Sequence, residues 1–339
     1  MPNDIVTRAL DAVASGSDLT SDQAEAVLAE IMEGRTDEVQ TAAFLVALRT
    51  KGETVTEIVG LARTMRGLAT TVQANRSELV DTAGTGGGPT TFNVSTGAAL
   101  VAAGAGCAVA KAGNRSNTSR CGSADLLEAL GVRIELSPEE VAEQIDQFGF
   151  GFMFAPVFHQ AMASVVPVRK ALAVRTVFNF LGPLTNPASA TRQVVGVAER
   201  NYQETIAEAL LALGTEHSLV VSGDDGVDEV SISGPTRVIE VRDGSTSEFF
   251  VEPADFGLGR AELSEVEGGE PDQNAALVRR VLEGELSPAR DLTLMNAAAA
   301  IYVAGKAPDL KTAIDVAAEA IDSGAALRVL TDLADFPTG

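Results

Sequence analysis

Apolar residues recur every three or four positions through the N-terminal stretch: Ile5, Leu10 and Val13, then Ala26, Val27 and Ile31, then Ala43, Phe44, Val46 and Leu48. That is the period of a helix with one buried face. Thr20 and Gln23 stand at capping-box spacing, and Gly34 and Gly52 are placed to end helices. The pattern predicts a small, all-helical domain over residues 1–72.

From Glu78 the texture changes. Short apolar runs (ELVDTA, GCAVAK, FGFMFAP, QVVGVA and HSLVVSG) read as strands, and helical patterns such as ADLLEALG lie between them. Ser137-Pro138-Glu139-Glu140 opens another helix, with a capping box and a proline at the first helical position. Alternating strands and helices predict an α/β domain over 73–339, with a mainly parallel central sheet flanked by helices. Pro167 to Ala188 reads as helix and loop without a strand. Part of 165–190 is therefore expected to return to the helical domain. In sheets of this kind ligands sit beyond the carboxyl ends of the strands.

Composition narrows the core and the partners. Hydrophobic residues make up 45%, aromatics only 4%, and Trp is absent, so the core must be mostly Ala, Val, Leu and Ile. No segment reaches the ~18 uninterrupted apolar residues of a membrane span. MPNDIVTRAL has no basic stretch ahead of a long apolar run, so no secretory leader is expected. Cys107 and Cys121 make neither a disulfide framework nor a metal site, which suits a reduced cytoplasm. The net charge of −22 opposes nucleic acid and anionic membranes. An anionic substrate would need local cations, backbone N–H groups or a metal.

Three segments offer that chemistry. Gly84-Thr85-Gly86-Gly87-Gly88 follows the strand ELVDTA. Such a turn lets successive N–H groups form an anion-binding nest, and Thr91, Asn93, Ser95 and Thr96 add short donors at the start of the helix STGAALVAAG. An ordinary tight turn and helix cap is the plainer reading. Pro89 breaks a dinucleotide fingerprint, and no Gly-Lys-Ser/Thr of a P-loop is present. The second segment, KAGNRSNTSRCGSADLLEALGV, again joins a strand to a helix and carries Lys111, Arg115 and Arg120 within ten residues. Its Ser123 and Asp125 also serve helix capping. The third, HSLVVSGDDGVDEVSIS, holds Asp224, Asp225, Asp228 and Glu229 in an expected strand–turn–strand. Adjacent carboxylates beside a phosphate suit Mg²⁺, although acidic turns are common in so acidic a chain.

Taken together, GTGG…TFNVST, KAGNRSNTS…GSADLLEALGV, HQAM…PVRKALAVRTVFNFLGPLTNP and GVDEVS resemble the anthranilate phosphoribosyltransferase family over nearly the whole chain. The resemblance implies a helical domain plus an α/β domain of the nucleoside phosphorylase/phosphoribosyltransferase kind. It also implies an active site in the cleft between them, Mg²⁺, and a homodimer pairing through the helical domain. The implied reaction joins anthranilate to phosphoribosyl diphosphate in tryptophan biosynthesis. Matched by position, phosphoribosyl diphosphate contacts fall on Gly84, Gly87, Thr91, Asn93, Ser95, Thr96, Lys111, Ser119 and Ser123. Anthranilate contacts fall on Gly84, Asn114, His159 and Arg169, and metal contacts on Ser95, Asp228 and Glu229. Arg169 suits a carboxylate through paired hydrogen bonds. His217 begins an apolar strand and reads as structural, and Cys121 reads as a small filler.

Two positions depart from the family pattern. The acid that usually follows GTGG is missing from the shorter GTGGGPTT, and Ala112 stands where the family has the His of Lys-His-Gly-Asn-Arg. No acid–base dyad is evident, and Lys111 with the loop N–H groups would stabilise the leaving group electrostatically. Three other readings remain at this stage. They are a different aromatic acceptor, a pyrimidine nucleoside phosphorylase-like enzyme, and a non-catalytic ligand-binding paralogue.

Overall fold

Helices α1 (Asp4–Ala14), α2 (Ser21–Met32), α3 (Glu38–Lys51) and α4 (Val55–Leu68) fill the N-terminal stretch of the computed structural model, which describes residues 2–116 and 119–337. Asn117 and Thr118 of the second loop lie outside the described residues. Asn3, Thr20, Asp37 and Thr54 each cap a helix by accepting first-turn N–H groups. Thr20–Gln23 and Thr54–Glu57 are complete capping boxes. The buried faces of the four helices, with Val6, Val27, Ile31, Phe44, Leu48 and Ile58, form one cluster that also takes in Val168, Phe178 and Leu181. These last come from two short helices, Val166–Leu172 and Phe178–Leu184.

The remaining chain builds a sheet of seven strands, β1 (Leu79–Gly84), β2 (Ala108–Gly113), β3 (Phe150–Phe154), β4 (Arg192–Gly196), β5 (His217–Gly223), β6 (Thr236–Arg242) and β7 (Ser245–Val251), in the order β3-β2-β1-β4-β5-β6-β7. β1 to β5 run parallel; β6 and β7 are antiparallel. Both faces are covered, as a parallel sheet requires. Val80, Val109, Val194 and Leu219 point into a core shared with helix α5 (Val94–Gly104) and the C-terminal helices. Their neighbours Leu79, Ala108, Val195 and Val220 point to the other side. Strand order reverses between β1 and β4, so the chain leaves those two strands in opposite directions and a crevice opens beyond their carboxyl ends.

The sheet differs from the sequence reading at one edge. The expected second strand in VDEVSIS does not form, and residues 226–235 run as bends and irregular backbone. Side chains take the place of a ladder there: Asn296 bonds both the N–H and the carbonyl of Val230 at 2.9 and 3.0 Å, and Thr236 Oγ1 accepts the Ser231 N–H at 2.8 Å. The next strands are the β6–β7 hairpin, turned by Asp243-Gly244. An Asp-Gly pair between two β-patterned runs is a hairpin signal that the sequence reading passed over.

One buried carboxylate fastens the helical domain. Glu57 is 0% exposed and accepts Leu19 N at 2.9 Å, Thr54 N at 2.8 Å and Lys51 Nζ at 2.9 Å. It thereby joins the entry to α2, the end of α3 and the cap of α4. Glu57→Ala leaves the Leu19 and Thr54 N–H groups without their acceptor, while Lys51 keeps Asp18 at 2.7 Å and Gly52 O at 2.8 Å, and should lower unfolding free energy by about 2–4 kcal/mol in urea titration. A loss below ~1 kcal/mol, the worth of an ordinary cap, would show that Glu57 is not the fastener.

Candidate active site

The glycine loop leaves the end of β1 and offers bare main chain to the groups that pack on it, the Asp228 carboxylate at Gly84, the Arg175 guanidinium at Gly87 and the Gly226 carbonyl at Gly88. A Cβ on Gly84 would collide with the Asp228 carboxylate, and one on Gly196, at the end of β4, with the Asp228 carbonyl oxygen. Only bare backbone lets the turn 224–229 approach both strand ends. Gly86 N–H then donates to Asp228 Oδ2 at 2.7 Å. Thr91 Oγ1 reaches both oxygens of Glu229 at 3.1 Å. Ser95, in the first turn of α5, lines a small cavity of about 20 Å³ together with Thr82, Asp228, Glu229 and Asn296. The three metal-matched residues, distant in sequence, therefore meet at the β1/β4 crevice.

Lys111 is the cation of this site. It is 2% exposed and donates to Thr82 O at 2.5 Å, and to Thr82 Oγ1 and Ser95 Oγ at 3.3 Å each. Burial lowers its ammonium to about 8, against the pull of Asp81 and Glu229. Asp81 is fully buried on β1; burial pushes its carboxyl up, while Lys111 and Asn186 draw it down. Its oxygens accept Asn186 Nδ2 at 2.7 Å and Ala112 N at 3.3 Å. Glu229 is pushed up to about 8, first by burial and then by the Asp228 charge.

These residues fit Mg²⁺. Among the described residues no group of three or more His, Cys, Asp or Glu side chains is gathered. Mg²⁺ needs only one or two carboxylates when substrate phosphate supplies further oxygens. The Asp228–Glu229 pair with the Ser95 hydroxyl is such a set, and its mutual repulsion is what a cation would relieve.

The second loop is held differently. Its helix, Ser123–Ala129, starts one residue earlier than the capping pattern suggested: Gly122 is the cap, and Asp125 accepts its N–H at 2.9 Å. Arg115 is tied to Asp125 and Glu128, which leaves it little freedom to serve a ligand. Ser119 bonds Ser116 Oγ at 2.6 Å, and Ser123 Oγ lies 3.4 Å from Asn114 O. Asn93 sits at the entry to α5 with left-handed backbone, φ 66°. Its amide holds Cys121 O at 2.9 Å and meets Asn274 at 2.8 Å, stitching the first loop to the second. Thr96 is fully buried and its hydroxyl has no partner among the described residues.

The acceptor-matched residues lie on the segment after β3. His159 is buried, its Nδ1 has no partner among the described residues, and burial lowers its pKa against the Thr185 backbone. Arg169 lies over the Phe178 ring at 5.5 Å and forms no ion pair among the described residues. A half-buried guanidinium without a carboxylate is suited to receive one from a ligand. His217 is instead paired with Glu240 at 2.7 Å, at the opposite end of β5 from the site.

Sequence reasoning missed Asp81, Asn186 and Arg175. Asp81 opens the DTAGTGG run and Asn186 ends LTNPA, but burial together depends on a pairing 105 residues apart in the chain. Arg175 bonds the glycine-loop carbonyls Gly86 O at 2.8 Å and Thr85 O at 3.2 Å. A larger groove, about 440 Å³, lies between Gly104 and the helix Leu310–Asp322. It presents Asp315 and Glu319 and no cation, the wrong lining for an anion.

Residues 76–327 match the glycosyl transferase family, a/b domain, and residues 7–69 match the glycosyl transferase family, helical bundle domain. The anthranilate phosphoribosyltransferase of Symbiobacterium thermophilum is 52% identical over 325 residues, which cover 96% of this chain and 95% of the relative. The crystal structure of anthranilate phosphoribosyltransferase from Thermus thermophilus matches with a TM-score of 0.92 at 47% identity, over 97% of this chain and 98% of that one. The Saccharomyces cerevisiae anthranilate phosphoribosyltransferase, in complex with PRPP and Mg, matches at 0.90 and 31% identity over 97% of each chain.

Both thiols are free and buried, and burial pushes Cys107 up to about 12 and Cys121 up to about 11. Thiolate is the reactive form. At pH 8 the folded protein should react with a disulfide reagent far more slowly than the unfolded chain. Rapid labelling of Cys121 in the folded protein would make it a nucleophile to reckon with.

Proposed function

We propose that this chain, which belongs to the anthranilate phosphoribosyltransferase family, transfers the 5-phosphoribosyl group of phosphoribosyl diphosphate to the amine of anthranilate and releases diphosphate. The observation that carries this reading is the meeting of the glycine loop, Lys111 and the Ser95–Asp228–Glu229 set at the β1/β4 crevice. Full-length likeness to named transferases favours it over the nucleoside phosphorylase, other-acceptor and non-catalytic readings.

The chemistry asks little covalent work of the protein. The C1–oxygen bond breaks with its electron pair leaving on diphosphate, the amine nitrogen bonds to C1, and the nitrogen sheds a proton to solvent. Lys111 and the loop N–H groups oppose the charge that grows on the leaving group. Gly84, Gly87, Thr91, Asn93, Ser95, Thr96, Ser119 and Ser123 are assigned to the phosphoribosyl diphosphate site, some through side-chain atoms and others through main chain. Gly84, Asn114, His159 and Arg169 are assigned to the acceptor, with Arg169 gripping its carboxylate. Ser95, Asp228 and Glu229 would hold Mg²⁺, which when bound supplies charge neutralisation at the diphosphate oxygens. The protein otherwise aligns amine with C1 and excludes water.

The active site is assigned to the cleft between a helical domain, 1–72 with part of 165–190, and the α/β domain, 73–339. A homodimer through the helical domain is supported by Val39 and Val46, exposed seven residues apart on α3. Two free buried thiols support a reducing cytoplasm, and among the described residues no helix is long and apolar enough to cross a membrane. Tryptophan biosynthesis is the pathway this reaction serves.

Mixing the protein with phosphoribosyl diphosphate, Mg²⁺ and anthranilate should deplete anthranilate fluorescence. No depletion, with phosphorolysis of uridine or thymidine instead, would overturn the assignment. Arg169→Ala should raise KM for anthranilate ~10–100-fold, the worth of a charge-assisted pair of bonds, and leave phosphoribosyl diphosphate binding within about twofold by calorimetry. Equal weakening of both would remove Arg169 from the acceptor site. Asp228→Asn with Glu229→Gln should raise the Mg²⁺ concentration for half-maximal activity ~10-fold or more. An unchanged requirement excludes them as ligands.

A further inference from the structure

Resting on that reading, we propose that Arg175 is a positioning residue for the leaving group: it turns the glycine-loop N–H groups toward the diphosphate and ties that loop to the helical domain. The case begins with peptide geometry. In a trans peptide the C=O and the following N–H point in opposite directions. Arg175 Nη2 donates to Thr85 O at 3.2 Å and Nη1 to Gly86 O at 2.8 Å. The partner N–H groups, those of Gly86 and Gly87, must then face away from Arg175. For Gly86 this is observed directly, because its N–H bonds Asp228 Oδ2 at 2.7 Å. Two successive peptides are thus held with oxygens on the arginine side and hydrogens turned away from it, which for Gly86 is the side of Asp228.

The guanidinium is fixed for this task. Its Nε is ion-paired with Glu199 Oε1 at 2.5 Å, and its carbon lies 5.9 Å from the Phe180 ring centre. A Cβ on Gly87 would meet Nη1 and displace the guanidinium, and φ 94° at that residue disfavours any side chain. The main-chain oxygen of Arg175 accepts Arg49 Nη1 from α3 at 2.5 Å. Nearby, Tyr202 bonds Glu53 at 2.8 Å and stacks on Phe180 at 4.2 Å. Movement of the helical domain therefore reaches the loop through Arg49, Arg175 and the two carbonyls. The same segment, 166–184, carries Arg169, so acceptor capture and loop orientation share one support.

Arg175→Ala and Arg175→Lys are compared with the wild type by steady-state kinetics, by calorimetry with phosphoribosyl diphosphate and Mg²⁺, and by thermal melting. Both variants should raise KM and Kd for phosphoribosyl diphosphate, ~10-fold or more for Ala and less for Lys, which keeps one donor. KM for anthranilate should stay within about twofold, and amide exchange in 84–88 should quicken. If the Ala variant does not fold, the Lys variant decides by the same split. Unchanged affinity for phosphoribosyl diphosphate, or equal loss for both substrates, overturns the proposal. A wild type that binds phosphoribosyl diphosphate but leaves anthranilate untouched overturns the reaction assigned above, and Arg175 is then judged on Kd alone.

Discussion

Asp228 is seated where two strand ends offer nothing but main chain. Its carboxylate touches the end of β1 at Gly84 and takes the Gly86 N–H, while its carbonyl lies against Gly196 at the end of β4. Any side chain at Gly84 or Gly196 would push this turn away from the crevice. With the turn would go Glu229, whose carboxylate holds Thr91, and the wall of the cavity shared with Ser95. The loop's glycines therefore have a reason in the fold itself, since parts of the protein already approach its backbone, and the same bareness suits the ligand approach proposed above. The small cavity, about 20 Å³, is walled by Ser95, Asp228 and Glu229, and the Gly86 N–H is taken up by Asp228.

Charge balance in the crevice follows from the same closeness. A chain of net charge −22 has no global field to draw an anion. It compensates with one buried ammonium, Lys111, held by Thr82 and Ser95 and flanked by Asp81 and Glu229. Burial drives each of these groups toward its neutral form, Lys111 downward and the carboxyls upward. A cation beside Glu229 and an anion beside Lys111 would each favour the charged form of the group they face. The site is thus under electrostatic tension that binding relaxes, which suits a reaction in which negative charge accumulates on a leaving group.

Much of this was legible in the chain. Capping boxes and apolar periodicity marked the helices, and short apolar runs marked β1 to β5, because those signals are local. The signatures GSADLLEALGV and FNFLGPLTNP pointed to the family, and position matching singled out Ser95, Asp228 and Glu229, which the fold then brought together. What escaped was long-range. VDEVSIS alternates like a strand, yet Asn296 claims the Val230 backbone from a helix far along the chain. Arg175 reads as one more surface arginine until the fold sets it against two loop carbonyls. The β6–β7 hairpin was a lesser miss, since its Asp-Gly turn carried a local signal.

The most direct measurement is a crystal structure of the protein with phosphoribosyl diphosphate and Mg²⁺ bound. The expected result is diphosphate oxygens within ~3 Å of the Gly86–Gly88 N–H groups, close to Lys111, with the Gly86–Asp228 hydrogen bond broken. Ligand density elsewhere, as in the groove beside Gly104, with the loop still bonded to Asp228, would contradict it.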